Sequence, residues 1–439
     1  MNELNKTLIF CATAAVLSAA SVFVDPGTIT PEIFDDQGEP FFAEFTDALA
    51  PKVIEVIDYS EATATARPLK VEFKDNKWTI PSHHNYPADA EDRLAKTSAA
   101  LMELRRDITV SDRIEDHSEY GVVDPLDQKV TSLAGRGKRV TLRDEDDNVL
   151  ADFVVGRTVP GKPGYRYMRV PNQRRTYAVK TDADVSVEFN DWIETDLLKL
   201  ETADIRKVSI NSYSINEQRG ILENVEKLTL TKKADKWIMS GRGTAKESKT
   251  DALASALDNL RIVNVQPKPA NLTHDLKTRQ GIQLSMDSVM SLRQKGFFVT
   301  NNGQLFSNEG EIIVDTANGL QYTLRFGEIA SGGPGSSGSG EAGSGEAGSG
   351  EAGSGQDAGK EEADGDQPNT AEDVRRYLFI TVNHSDARAK QYTEEGKEPD
   401  EKGKALALEL QNRFADWYYV ISGADFSNLR PRRRDLISG

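Results

Sequence analysis

A set of landmarks recurs in the same order along this chain, and that order restricts its fold more than any other feature. Lys77-Trp78-Thr79-Ile80 follows the alternating Leu69, Val71 and Phe73, and Lys236-Trp237-Ile238-Met239 follows Leu228 and Leu230. Each reads as a strand, a tight polar turn (Asp75-Asn76; Ala234-Asp235) and a second strand opened by Trp. The interval from Asp144 to Gly156 equals that from Asp315 to Gly327. Each interval holds a turn (Asp147-Asn148; Asn318-Gly319) and then an apolar strand. Phe189-Asn190-Asp191-Trp192 and Phe414-Ala415-Asp416-Trp417 close the two copies, and Asp204-Ile205 or Asp425-Phe426 follows. A Phe and a Trp three apart share one face of a helical turn, where both rings can bury against a sheet. Asp191 and Asp416 then serve as local hydrogen-bonding groups that fix the turn. Matches kept in one order while loop lengths vary indicate an internal repeat. The stretch from Trp78 to Gly156 is shorter than its counterpart from Trp237 to Gly327, yet every landmark keeps its place.

Each copy also carries one amphipathic helix. Pro87 and Asp89 lead into Leu94, Thr97, Leu101 and Leu104, and Thr250-Asp251 leads into Leu253, Leu257 and Leu260. The pattern predicts an α+β fold: two tandem repeated modules of mainly antiparallel sheet with packed helices. The expected divisions are an N-terminal transmembrane helix within residues 1–24, a spacer at 25–50, and modules at 51–206 and 207–439.

The membrane expectation rests on the run from Thr7 to Val24, which contains no charge and is mostly apolar. As a helix this run is roughly 27 Å long, close to the hydrocarbon thickness of a bilayer. Lys6 precedes it, while Asp25, Glu32, Asp35, Asp36 and Glu39 follow, which favours a cytoplasmic N-terminus and an extracytoplasmic remainder. A cleaved signal peptide, with Ser18 and Ala20 near the cut, is the alternative. The apolar run continues through Val22, Phe23 and Val24, and that fits an uncleaved anchor better.

Residues 330–370 differ in kind. Glu-Ala-Gly-Ser-Gly recurs from Glu341, Glu346 and Glu351, then the stretch turns acidic at Glu361, Glu362, Asp364 and Asp366. Such a composition cannot bury enough apolar surface to offset its ordering entropy and predicts disorder. The repeat places it inside the second module, as a swollen loop between the strand ending at Gly327 and the one at Tyr377 to Val382. Loop length costs little closure entropy, so the insertion is tolerable.

The net charge of −16 argues against nucleic acid as a partner. The single cysteine, Cys11, excludes an internal disulfide framework and a cysteine-based metal cluster. Gly156 to Pro163 nearly spells a phosphate-binding loop, but Pro163 replaces the hydroxyl residue that would hold magnesium, so a hairpin loop is expected. Asp144, Asp146 and Asn148 begin like a calcium loop, yet Val149 and Val155 stand where Gly and Glu are needed. His83-His84 is the only histidine pair, and neighbours on a strand point to opposite faces. No nucleophile motif is present and no carboxylate pair singles itself out. No catalytic residue, cofactor site, metal site or small-molecule ligand is therefore assigned. Arg430, Arg432, Arg433 and Arg434 read as a solvated basic tail, with anionic lipid or an acidic partner as the alternative.

The anchor ending in Asp25-Pro26, the strand opened by Lys77-Trp78, Pro87-Ala88-Asp89 and the two Phe-x-Asp-Trp stretches resemble the domain-of-unknown-function family DUF4340. The most specific piece is the run Arg413-Phe414-Ala415-Asp416-Trp417-Tyr418-Tyr419-Val420-Ile421-Ser422. The resemblance implies a non-enzymatic, single-pass protein of the bacterial inner membrane with its bulk on the periplasmic side. It also implies an accessory role beside an ABC-type transporter of the gliding-motility kind. An enzyme acting on an envelope polymer through unrecognised carboxylates, or a free-standing interaction scaffold, are the alternatives.

Overall fold

The structure, a computed structural model, describes residues 36–437 apart from 131, 182–184, 217–218, 234–235, 242, 279–284, 301–302, 331–373 and 393–401. The expected anchor at Thr7 to Val24, Cys11, the Ala234-Asp235 turn and nearly all of the Gly/Ser-rich tract lie outside the described residues. Among the described residues no helix is long and apolar enough to cross a membrane.

The architecture is α+β with mainly antiparallel sheet, as the sequence pattern predicts. Strands β1 (Val53–Ser60), β2 (Thr65–Lys74), β3 (Lys77–Ile80), β4 (Tyr86–Pro87) and β5 (Ile108–Ser111) come first in the chain. With β6 (Lys138–Arg143), β7 (Val149–Thr158), β8 (Tyr165–Arg169) and β9 (Thr176–Lys180) they form a sheet in the order β4-β3-β2-β1-β6-β7-β8-β9-β5. Strands β10 (Ile205–Asn216), β11 (Ile221–Lys233), β12 (Lys236–Met239) and β13 (Asn264–Pro267) begin a second sheet, and β14 (Phe297–Val299) and β15 (Leu305–Ser307) pair as a separate ribbon. Strands β16 (Glu311–Thr316), β17 (Leu320–Ile329), β18 (Arg376–His384) and β19 (Trp417–Ile421) complete the second sheet, in the order β12-β11-β10-β16-β17-β18-β19-β13. Apart from β4, the two orders correspond position by position.

The chain divides into two compact units, Met1–Pro51 with Asp58–Ala66 and Ala95–Val185, and Lys52–Ile57 with Arg67–Leu94 and Ser186–Gly439. In the first, Val140 faces Phe153 between β6 and β7, and Val155 faces Met168 between β7 and β8. Phe41 packs edge-on to Tyr177 at 5.2 Å, and Phe42 lies 5.7 Å from Phe153. The described end of the 25–50 segment thus packs its aromatic residues on this unit. Phe41, Phe42 and Phe45 bury apolar area that a solvated linker would leave exposed.

In the second unit Leu230, Val208, Val314, Tyr322 and Val382 form one buried row across five strands. Helix Lys402–Ala415 packs on the β17 to β19 part of this face, with Phe414 set edge-on to Tyr419 at 6.0 Å. On the opposite face Tyr377, Phe379, Tyr418 and Val420 pack with Leu272, Leu292, Phe297 and Leu305. Burial on both sides accounts for the unbroken apolar run Tyr377 to Ile380. The amphipathic helices form as expected, Glu91–Met102 with Leu94 and Leu101 buried and Glu247–Asp258 with Leu253 and Leu257 buried.

The Trp hairpins also form. Asp75 and Asn76 both have left-handed backbone (φ 51° and 60°), the conformation of a two-residue hairpin turn, and Phe73 faces Trp78 across it. Trp237 faces Lys232 in the equivalent register. The two Phe-x-Asp-Trp stretches do not share one conformation. Phe189–Trp192 is a 3-10 turn with both rings buried. Phe414, by contrast, lies in the last turn of its helix and Trp417 opens β19. The expected second helical turn is replaced because Trp417-Tyr418-Tyr419-Val420-Ile421 is rich in strand-forming residues and pairs with β13 and β18.

Candidate functional site

The structure gathers some of the sequence landmarks and leaves others in separate places. Tyr86 stands edge-on between Phe189 (5.4 Å) and Trp417 (5.1 Å). The two Phe-x-Asp-Trp stretches therefore meet in one aromatic cluster. His83 stacks on Phe189 at 4.4 Å, and burial followed by the adjacent His84 lowers its pKa to about 4. The Trp192 indole donates to the Ser186 carbonyl at 3.1 Å, and the Arg93 guanidinium lies over its ring. Asp191 faces Arg93 at 3.9 Å, whereas Asp416 pairs with Lys277 at 2.7 Å. Trp78 and Trp237 are half-buried members of their hairpins, Trp78 against Phe73 at 5.2 Å and Trp237 beneath the Lys232 ammonium.

Lys268 lies under the Phe414 to Trp417 junction. Its amine donates to the Phe414 carbonyl at 2.7 Å and to the Trp417 carbonyl, and it sits 4.2 Å from the Phe379 ring centre. Burial pushes its pKa well below the ordinary lysine value. The arrangement satisfies carbonyls at a helix end, which is a structural task.

Two concavities have the character of binding surfaces. One, in the second unit, is an apolar groove of about 520 Å³ lined by Ile221, Leu222, Val289, Leu292 and Phe298. The β10–β11 ribbon supplies one wall, and Asn211 is the last β10 residue paired with β16, so the ribbon runs on beyond the sheet. Helix Met286–Gln294 supplies the other wall, and its Met286 and Met290 are 75% and 52% exposed.

The other, in the first unit, is a cavity of about 830 Å³ beside β8. Its wall between residues 124 and 130 is fixed by Arg136. That guanidinium donates to the carbonyls of Asp124, Pro125, Asp127 and Val130 at 2.8–3.1 Å. Arg139 is held by Asp152 at 2.7 Å and Asp124 at 2.9 Å. Arg169, only 6% exposed, donates through Nε to the Val122 carbonyl at 2.9 Å and through Nη1 to the Gln173 carbonyl at 3.1 Å. Its burial lowers its pKa, partly offset by Asp124 and Asp127. His117 is buried beside it and its Nε2 donates to the Arg174 carbonyl at 2.7 Å, leaving Nδ1 as an acceptor. No motif in the sequence marks this cavity. The only signal was an arginine in a strand whose alternate residues face a core.

The motifs set aside as non-functional have ordinary structural roles. Asp144 accepts from the backbone of Asp146 and Asn148 and from the Asn148 side chain, an Asx-type turn. Gly156 to Pro163 spans the last residues of β7 and the loop that leads to β8, its antiparallel neighbour. Among the described residues no group of three His, Cys, Asp or Glu side chains could hold a metal ion. The basic run at 430–434 is not a free tail. Arg430 pairs with Glu309 at 2.5 Å and lies over the Phe426 ring, and Arg433 donates to the Ser240 carbonyl at 2.9 Å. Glu309 and Ser240 lie far upstream in the chain, beyond the reach of local pattern.

The fold and these surfaces define an α+β protein of two mainly antiparallel sheets. Residues 78–277 match the family model described as "Domain of unknown function (DUF4340)", and the resemblance read from the sequence is borne out over that segment. No curated protein and no solved structure matches the chain.

Proposed function

We propose that this protein is a non-enzymatic, single-pass membrane protein built of two copies of one sheet module. In this reading it stands on the extracytoplasmic side of a bacterial inner membrane as an accessory subunit of an ABC-type transport system of the gliding-motility kind. The observation that carries the reading is the uncharged run Thr7 to Val24, followed by an acidic chain. The transporter partnership rests on the resemblance to the DUF4340 family. The duplication is supported by the corresponding strand orders and by two matched glycines. Gly156 in β7 and Gly327 in β17 each lie so close to a backbone carbonyl, of Tyr120 and Lys295 respectively, that no side chain fits. The exposed apolar groove at Leu222 and Val289 is the kind of surface a partner subunit covers.

Two measurements test the reading. Intact mass of the membrane-extracted protein is expected to include residues 7–24, and a mature N-terminus near Ser21 or Val22 would refute the anchor. Purification in mild detergent is expected to bring down ATPase and permease subunits stoichiometrically. A lone monomer that releases product from cell-wall or glycan substrates would replace this reading with an enzymatic one.

A further inference from the structure

We propose that the cavity beside β8 binds an organic carboxylate that carries an apolar group, with Arg169 as the anchor for the anion. This goes beyond the membrane and transporter reading and does not depend on it.

The argument begins with Arg169. A guanidinium has five N–H donors in a rigid fork and stays charged at any physiological pH. Burial of such a group is costly unless its donors are used. Val122, Val170 and Gln173 accept from Nε and Nη1, which orients the plane and fixes its rotamer. Nη2 has no acceptor among the described residues, and Arg169 lines the cavity. A carboxylate is the acceptor whose geometry and charge suit that remaining edge.

The wall's own carboxylates do not serve that role. Asp124 is paired with Arg139 at 2.9 Å and accepts from the Leu126 backbone. Asp127 accepts from the Lys129 backbone at 2.8 Å, and Glu115 faces Arg113 at 3.6 Å. Arg139 is itself spoken for by Asp152 and Asp124. The lining that an entering ligand meets carries the cations Arg169, Lys129 and Arg174 alongside the carboxylates of Glu115 and Asp127, and of these cations Arg169 is the buried one with an open edge on its fork. Beside them Ile114 and Leu126 are 55% and 52% exposed, so the mouth offers apolar surface next to positive charge. The loop bearing Leu126 is held by the four carbonyl bonds to Arg136 and so is arranged in advance of binding. Anion at the floor and hydrocarbon at the mouth is the complement of this lining.

Such a carboxylate could be a free acid or the C-terminus of a peptide ending in an apolar residue. The full-length protein in detergent is titrated by calorimetry with sodium hexanoate, with hexanamide, with acetyl-Ala-Ala-Leu and with the amide of that peptide. Saturable binding of an acid, at least about ten-fold tighter than its amide, is the expected result. The tighter of the two acids identifies the source. Arg169→Gln tests the anchor, but it strands three carbonyls, so loss of the fold would mimic loss of the site. The exposed pair Lys129→Ala with Arg174→Ala, and separately Leu126→Ala, therefore carry the test. Each is expected to weaken binding by about three- to ten-fold without altering the melting temperature of the free protein. No saturable binding of either acid, equal binding of acid and amide, or affinity unchanged in both exposed-site variants overturns the proposal.

Discussion

Tyr322 and Val382 lie directly opposite one another in the β17–β18 ladder, though the whole Gly/Ser-rich tract separates them in sequence. The Tyr322 hydroxyl donates to the Leu198 carbonyl at 3.0 Å, which ties this point of the sheet to the segment that follows Trp192. The ladder continues to its open end, where the Ala330 amide donates to the Arg375 carbonyl at 2.9 Å. The chain between those two residues begins and ends one hydrogen bond apart.

Replacing residues 331–374 with a short turn is therefore expected to preserve the fold. About three halvings of loop length recover on the order of 2 kcal/mol of closure entropy at most. Urea denaturation of the shortened protein should give an equal or higher midpoint. A stability lowered by more than about 1 kcal/mol would mean that the tract makes contacts the folded protein depends on.

The matched glycines give a second expectation. A Cβ on Gly156 would stand 2.3 Å from the Tyr120 oxygen, and one on Gly327 would stand 2.1 Å from the Lys295 oxygen. Neither oxygen belongs to a side chain that could swing aside. Gly156→Ala and Gly327→Ala should each destabilise by about 1–3 kcal/mol, as overpacking does. Similar losses at both sites, measured by chemical denaturation, are the outcome expected of copies of one module; a neutral effect at either would break the parallel.

The strands were legible in the sequence wherever alternation and turn chemistry agreed. Asp75-Asn76 between Phe73 and Trp78 is such a case, and so is Asn318-Gly319 before Leu320. The match between Phe189-Asn190-Asp191-Trp192 and Phe414-Ala415-Asp416-Trp417 misled because so short a stretch does not fix a conformation. Trp417 is drawn into β19 by Gln266 and Pro267 of β13, far earlier in the chain. Arg169 was illegible for a related reason. Its acceptors at Val122, Val170 and Gln173 are backbone carbonyls, which every residue possesses and no composition reveals.

His83 makes stability pH-dependent in a definite direction. Its folded-state pKa is lowered to about 4, chiefly by burial against Phe189, while the unfolded chain titrates near the ordinary value of about 6.5. Between those values the unfolded state binds more protons, so this contribution is present above about pH 6.5 and is lost as pH falls toward 4. His83→Phe keeps a ring on Phe189 and removes the titration. Urea midpoints at pH 7 and pH 4.5 should then fall less in the variant than in the parent protein, and an equal fall would exclude His83 as a contributor.

Trp192 and Trp237 provide the sharpest contrast in packing. Trp192 has no exposed surface, and its indole N–H is satisfied by the Ser186 carbonyl. Its own carbonyl accepts from the Asp89 amide at 2.8 Å, which fixes the turn against the start of helix Glu91–Met102. Trp192→Ala should cost about 3–5 kcal/mol, since it opens a large cavity and strands the Ser186 carbonyl. Trp192→Phe retains most of the volume and should cost less, about 1–3 kcal/mol. Trp237 is only half-buried, in a hairpin at the sheet edge beneath the Lys232 ammonium. Trp237→Ala should cost about 1 kcal/mol or less. Chemical denaturation of the three variants checks the ranking. If Trp237→Ala proved as costly as Trp192→Ala, the edge hairpin and not the Phe189–Trp192 turn would be the point on which this unit's packing depends.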